Sequence, residues 1–298
     1  MTRRQDAKGP AGPTPGDLVR ARDLLARAER VVVCTGAGVS AESGVPTFRG
    51  PGGLWKTYRP DQLATPEAFA HDPRLVWEWY GWRRDLVAAC RPNLAHVALA
   101  RCMLRRGGVT LVTQNVDDLH ERGAEEAALG LLREGRLPAA SALAPAGDED
   151  DLRAAARAAG ARAAPIRLHG SLLHVRCTRC GERREHRGAV DASSDTTLPR
   201  CAACGGLLRP DVVWFGEPLP EGALAAAFSA AAAADACLVV GTAGAVQPAA
   251  ALVDEAAGAG ARVIVVDPGK TAYDGMADVR LWGTAGEMVP ALLAGSGS

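Results

Sequence analysis

Val31-Val32-Val33-Cys34-Thr35 runs directly into Gly36-Ala37-Gly38-Val39-Ser40-Ala41-Glu42-Ser43-Gly44-Val45-Pro46-Thr47-Phe48-Arg49-Gly50. The apolar run has the length of a strand buried on both faces, so the glycines fall where a parallel strand ends and a phosphate-binding turn can begin. Gly36 and Gly38, lacking Cβ, permit positive φ and let backbone N–H groups approach a pyrophosphate. Glycine turns after strands also occur where nothing binds. What weights this one toward function is its tail, which puts Phe48 and Arg49 on a loop beside the same turn.

Outward from this stretch the same alternation recurs. Leu18, Ala21, Leu24, Leu25 and Ala28 share one face of a helix expected over residues 17–29, and a second helix is expected over 94–106. Short apolar runs at 109–112, 166–168, 237–240 and 263–266 each end in a polar or glycine turn. Strands alternating with helices predict an α/β fold, a doubly wound, mostly parallel, Rossmann-like sheet with ligands at the carboxyl ends of its strands. Residues 1–16, polar and rich in Gly and Pro, are expected to be disordered. Residues 55–91 hold seven of the thirteen aromatics, which marks a separate small cluster or a pocket wall. The alanine-rich interval 124–164, broken by Pro138 and Pro145, is expected to be a surface insertion with one or two helices, a lid or partner-docking segment being the alternative.

The 298 residues are enough for a sizeable core. Thirty-four basic and 34 acidic side chains cancel, so global charge makes no case for nucleic acid or an anionic membrane. No stretch reaches the length of a membrane span, and the N-terminus lacks the apolar core of a secretory signal. Four of the eight cysteines form Cys177-x-x-Cys180 and Cys201-x-x-Cys204, twenty residues apart, the spacing of a closed tetrahedral zinc site. Four ligands leave no open position, so one structural zinc per chain is expected; two disulfides are the alternative. The other cysteines lie in apolar surroundings, which suits a reducing cytoplasm.

His169 lies between a strand end and Gly170-Ser171, where it can project from the sheet's carboxyl edge. With an ordinary pKa of about 6.5, histidine can accept a proton near neutral pH. Gln114, Asn115 and Asp117 place polar side chains where another strand meets its turn. Tyr80 and Arg83 lie three apart and share a helix face within the aromatic segment.

Taken in order, the Gly36–Gly50 loop, Thr113-Gln114-Asn115-Val116-Asp117, Leu168-His169-Gly170-Ser171, the four cysteines and Val213-Trp214-Phe215-Gly216-Glu217 resemble the motifs of the sirtuins, over about residues 17–294. The resemblance implies a catalytic domain with a Rossmann-like part (17–54, 92–169, 209–294), a helical part (55–91) and a zinc ribbon (170–208). It implies NAD as cofactor and acyl-lysine proteins or peptides as substrates, with nicotinamide and O-acyl-ADP-ribose as products. A single chain suffices for such chemistry, so a monomer is compatible with it.

By the same resemblance His169 is the general base, with Asn115 and Asp117 beside it. NAD is expected to meet Asn115 and Asp117 as well as Gly36, Ala37, Gly38, Ser40, Glu42, Pro46, Phe48, Arg49, Trp55, Gln114, Val116, Gly241, Thr242, Ala243, Asp267, Pro268, Gly269 and Ala285. Val213, Phe215, Gly216 and Glu217, a core strand by pattern alone, correspond to an edge that pairs with an extended substrate. Tyr80-x-x-Arg83, with Ala64 leaving room, resembles the subgroup that removes succinyl and malonyl groups. Ala243 stands where sirtuins commonly have serine and Asp267 where they often have asparagine, and the family usually crosses the 124–164 interval in fewer residues. Two other readings fit the motifs: an ADP-ribosyltransferase or NAD hydrolase using the same site, and a non-catalytic module that senses NAD or ADP-ribose.

Overall fold

A computed structural model describes residues 14–48, 53–54, 59–137 and 149–294. Helix α1 (Pro15–Arg27) starts two residues earlier than its apolar face suggests. Thr14 and Asp17 form a reciprocal capping box and Pro15 occupies the first turn, so residues 14–16, expected to be disordered, are the helix start. Strand β1 (Val31–Thr35) follows, then a 3-10 turn over Ala37–Ser43 closed by Gly44 at φ 94°. The aromatic segment folds as α2 (Pro60–Leu63), α3 (Pro66–His71) and α4 (Pro73–Ala89). The chain continues with α5 (Leu94–Arg105), β2 (Val109–Thr113), α6 (Leu119–Arg133), α7 (Glu149–Gly160) and β3 (Ile166–Arg167). Strands β4 (Gly170–Cys177), β5 (Arg183–Glu185) and β6 (Leu208–Val212) come next, followed by α8 (Glu221–Ala232), β7 (Ala236–Val240), α9 (Ala251–Gly258), β8 (Arg262–Val266), β9 (Val279–Leu281) and α10 (Ala285–Leu293).

Six strands form one sheet in the order β3-β2-β1-β7-β8-β9, every pair of them parallel. Its two faces follow from the alternation of side chains along a strand. Val31, Val33, Leu238, Val240, Ile264 and Val266 pack on α1, α5 and α10, while Val32, Cys34, Cys237, Val239, Val263 and Val265 pack on α8 and α9. Between β1 and β7 the winding reverses, which makes a crevice at their carboxyl ends. A second, antiparallel sheet, β5-β4-β6, shares a separate core with α3 and α4 that includes Phe69, Trp77, Tyr80, Leu172, Val175 and Leu208. Among the described residues no helix is long and apolar enough to cross a membrane.

The described parts of the 124–164 interval, α6 and α7, pack into a core instead of lying on the surface. Ala124, Ala127, Ala128 and Leu131 of α6 and Ala156 of α7 are fully buried, in a cluster with Ala100 and Leu104 of α5. At Gly160 a Cβ would stand 3.0 Å from the backbone of Ala124 and Glu125, so any larger residue would press the two helices apart by a few tenths of an ångström. Alanine, weakly apolar in sequence, is what close helix packing selects here. Deleting residues 126–162 removes Leu131 and Leu137 from this cluster and bares α5. Each fully buried leucine contributes about 1.5–3 kcal/mol. The expected outcome is loss of the cooperative thermal transition; a deletion chain that melts like the parent would show that the interval is dispensable.

A candidate active site at the carboxyl edge of the sheet

The glycines after β1 serve close approach. Gly36 has φ −132°, ordinary extended backbone, and a Cβ on it would meet Thr242 Cβ at 2.7 Å. A Cβ on Gly38 would stand 2.7 Å from Gly241 Cα. Their N–H groups donate to Val240 O (3.1 Å) and Gly241 O (2.8 Å). The expectation of positive φ and free amides is therefore corrected: the loop after β1 is bonded to the loop after β7, and φ is positive at Gly241 (61°) and Gly44 instead.

Beneath this crossing lies a closed polar network centred on Ser40, which is fully buried. The Asn93 N–H donates to His96 Nδ1 (3.2 Å), so the His96 proton sits on Nε2 and is shared with Ser40 Oγ at 3.3 Å. Asn115 Nδ2 also donates to Ser40 Oγ (3.1 Å), and the Ser40 hydroxyl donates to Asp117 Oδ2 (3.1 Å). Burial pushes the His96 pKa down to about 4 and raises that of Asp117. Neighbouring His120 shares a hydrogen bond with Thr35 Oγ1 (3.0 Å), and its Nδ1 has no partner among the described residues. Arg167 ties down the loop that carries these groups, donating to Asn115 O (3.1 Å) and Asp117 O (2.6 Å) while paired with Glu121. Sequence reasoning placed Ser40, Asn115 and Asp117 but gave His96 and Arg167 no role at the site. The Asn93-x-x-His96 spacing, a helix cap with its reciprocal partner, was the available signal for His96.

His169 follows β3, its Nδ1 donating to Gln114 O (2.9 Å). That bond fixes the tautomer and leaves Nε2 as a proton acceptor. Burial holds its pKa below the ordinary histidine value. Gln114 Nε2 reaches Thr242 Oγ1 (3.2 Å), joining the loops after β2 and β7, and Val116 is buried with its carbonyl accepting from Leu172 N–H. Towards the far end of the crevice Ala243 is exposed and its carbonyl accepts from Ala272. Asp267 follows β8 and accepts from the Gly269 N–H (2.8 Å), with Pro268 and Gly269 exposed. Glu42 caps α10 by accepting from Gly286 N–H and Thr284 Oγ1, and Ala285 is buried beside it. Pro46 and Phe48 are half-buried in the loop; Arg49 and Trp55 lie outside the described residues.

Residues 213–217 form a turn and no strand, contrary to their apolar pattern. Val213 N–H donates to His169 O (2.9 Å) and Phe215 N–H to Ala64 O (2.9 Å), so the turn bridges the two parts of the molecule and leaves Phe215 46% exposed. Gly216 carries φ 86°. The Glu217 carboxylate accepts from Arg209 (2.6 and 2.9 Å), Arg176 (2.9 Å) and the Trp214 N–H (2.9 Å). Behind the turn, Tyr80 and Arg83 of α4 are 1% and 6% exposed, and Ala64 is buried near them. The Arg83 guanidinium lies 4.8 Å from the Phe48 ring and 5.0 Å from the Trp79 ring, with no carboxylate partner among the described residues. Burial lowers its pKa.

The four motif cysteines come together at the end of β4 and the loops beside it, their sulfurs all within 4.8 Å of one another. Cys177 Sγ to Cys204 Sγ is 3.5 Å and Cys180 Sγ to Cys201 Sγ 3.7 Å. Zn–S bonds of about 2.3 Å in a tetrahedron put sulfurs about 3.8 Å apart, so the set fits one zinc ion. All eight cysteines are unpaired thiols, which sets aside the disulfide alternative.

A parallel doubly wound sheet with a glycine crossing at its switch point, a base-competent histidine and a four-cysteine ribbon defines a dinucleotide-dependent α/β protein with a metal-braced substrate part. A sequence model of the Sir2 family matches residues 36–131 and 150–248, and the chain belongs to that family. It is 45% identical over 273 residues to "NAD-dependent protein deacylase 2" of Pyrobaculum aerophilum, covering 91% of this chain and 92% of the relative. A Sir2 homologue solved as its NAD complex is similar with a TM-score of 0.76 at 39% identity, covering 97% of this chain and 96% of that one. A Sir2 protein bound to a myristoylated histone peptide is similar with a TM-score of 0.66 at 29% identity, covering 95% and 97%.

Proposed function

We propose that this chain is an NAD-dependent protein-lysine deacylase with a preference for acidic acyl groups such as succinyl and malonyl. The deacylase activity is supported by family membership, the named relatives and a site that holds the required groups together. Bound NAD supplies the ribose carbon from which nicotinamide leaves and the hydroxyl that then attacks the acyl group. His169, its proton pinned on Nδ1 by Gln114 O, has Nε2 free to take that hydroxyl's proton. Asn115 and Asp117, held in place by Ser40, would line the nicotinamide end, and the Gly241–Ala243 turn and Asp267 the adenosine end. An Asp267 carboxylate can accept from ribose hydroxyls, while Ala243 forgoes the hydrogen bond of a serine. With the N–H groups of Val213 and Phe215 already bonded to His169 and Ala64, the turn would offer a peptide backbone its carbonyls.

The acyl preference rests on one observation: a buried guanidinium, Arg83, that makes no ion pair with any described carboxylate, Asp117 acting on it only at longer range. A buried charge without a partner is costly, and a ligand carboxylate taken by two parallel N–H bonds would remove that cost. With NAD and matched acetyl-, succinyl- and malonyl-lysine peptides, the acidic acyl forms are expected to show the higher kcat/KM. Hydrogen bonds to charged groups contribute about 1.5–3 kcal/mol each, so Arg83→Met should cut that preference by about tenfold or more while the acetyl reaction loses little. A wild-type enzyme that favours acetyl-lysine, or an Arg83→Met variant with its preference intact, sinks the reading.

A further inference from the structure

We propose that Trp214 is a positioning residue for acyl selectivity, acting through the hydroxyl of Tyr80. This rests on the acidic-acyl reading above and deepens it. Trp214 Nε1 donates to Tyr80 Oη at 2.8 Å, inside a contact where both residues are almost wholly buried, at 2% and 1% exposure. An indole nitrogen can only donate, so the Tyr80 oxygen must be the acceptor and its own O–H must point elsewhere. Among the described residues no acceptor takes that hydrogen. The neighbouring cation, Arg83, lies 5.9 Å from the Tyr80 ring and is also a donor only. Arg83 lines a cavity with Val45, Pro46 and Trp82, and Tyr80 lies one turn before it on α4; two donors with no described acceptor would match an anion and offer a neutral methyl group nothing.

The indole is itself held from behind, which is what makes it a positioning element. The Arg209 guanidinium stacks on the Trp214 ring at 3.2 Å, and Arg209 is locked in a two-pronged pair with Glu217. Glu217 also accepts from the Trp214 backbone N–H, and the Phe69 ring lies 5.4 Å away on a tilted contact. Rotation of the indole would break the stack and the hydrogen bond to Tyr80 together. The chain Glu217, Arg209, Trp214, Tyr80 therefore fixes the direction of a single proton. Without the indole N–H, the Tyr80 hydroxyl is free to turn and loses its preorganisation toward a ligand carboxylate.

The test compares succinyl- and acetyl-lysine peptides of one sequence, with saturating NAD, for the wild type, Trp214→Phe, Tyr80→Phe and the double variant. Any change that Trp214→Phe makes to both substrates cancels in the ratio of their kcat/KM. We expect that ratio to fall about five- to tenfold, the worth of one hydrogen bond, with the change carried by the KM of the succinyl peptide. In the Tyr80→Phe background the same substitution should change the ratio no further, a result that loosened packing alone would not give. A ratio unchanged by Trp214→Phe in an enzyme that prefers succinyl overturns the inference and leaves the acidic-acyl reading standing. An equal fall in both backgrounds also overturns it, because Trp214 would then not act through Tyr80. A wild type that prefers acetyl removes the acidic-acyl reading first, and the inference with it. The contact can also be read without substrate, in case Trp214→Phe does not fold. In 15N-labelled protein the Trp214 indole N–H resonance should shift strongly in Tyr80→Phe, and an unmoved resonance overturns the hydrogen bond on which the inference stands.

Discussion

His169→Ala should lose deacylation by a factor of about 10² to 10⁴, the usual worth of a general base, and keep most of its affinity for NAD. The imidazole is not a main anchor of the cofactor: the crossing of the Gly36 and Gly241 loops and the Ser40 network are untouched by its removal. The bond from Nδ1 to Gln114 O would be lost, but Gln114 Nε2 still reaches Thr242, so the loop after β2 keeps its link to the loop after β7. Isothermal titration with NAD alongside single-turnover product analysis separates the two effects, and a variant with near-normal turnover would show that the base is another group. The pH profile carries the same assignment. A base works in its neutral form, so the rate falls as pH drops through its pKa. Burial holds that pKa below the ordinary 6.5, so the acidic limb should lie below 6.5 and vanish in His169→Ala.

Removing zinc should have an effect of comparable size on folding. Structural zinc sites in small peptides contribute apparent binding free energies of about 10–16 kcal/mol, more than most domains have in total. Here the metal site is not peripheral. Cys177 and Cys201 belong to the same buried cluster as Val175, Leu208, Trp77 and Tyr80, and Trp77 Nε1 donates to Leu208 O (3.0 Å). Loss of the ion should therefore loosen β4, β6 and α4 together and take Tyr80 and Arg83 with them. Elemental analysis should find about one zinc per chain. A strong chelator or Cys177→Ser should lower the melting temperature sharply and abolish activity. Folded, active protein with well under one zinc per chain would overturn this assignment.

The sheet was legible because fully buried parallel strands must read as continuous apolar runs, and Val31–Val33 and Val263–Val266 do so without interruption. The cysteines and His169 were legible because spacing and position at a strand end carry the chemistry. Other features were hidden for physical reasons. The helices α6 and α7 looked like an insertion because close packing selected alanine and Gly160, residues that carry little hydrophobic signal. Val213–Glu217 looked like a strand because Val213, Trp214 and Phe215 run apolar, yet the turn is fixed by bonds to Ala64 and His169, far away in sequence. The pairing of Glu217 with Arg209 and Arg176 was hidden because nothing local marks those residues as its partners. His96 was passed over because its partner Ser40 lies 56 residues away.

The glycine crossing limits how the cofactor loop can vary. In most cores an oversized side chain can be accommodated by a smaller one opposite it. At Gly38 and Gly241 the opposing atoms are main chain on both sides: a Cβ on Gly241 would lie 2.4 Å from Val39 N and 2.5 Å from Gly38 C, and one on Gly38 2.8 Å from Gly241 O. No side chain is present there to be trimmed. A change at either position has no complementary change at the other, so the two loops form one joint whose composition is fixed even where the residues around it drift.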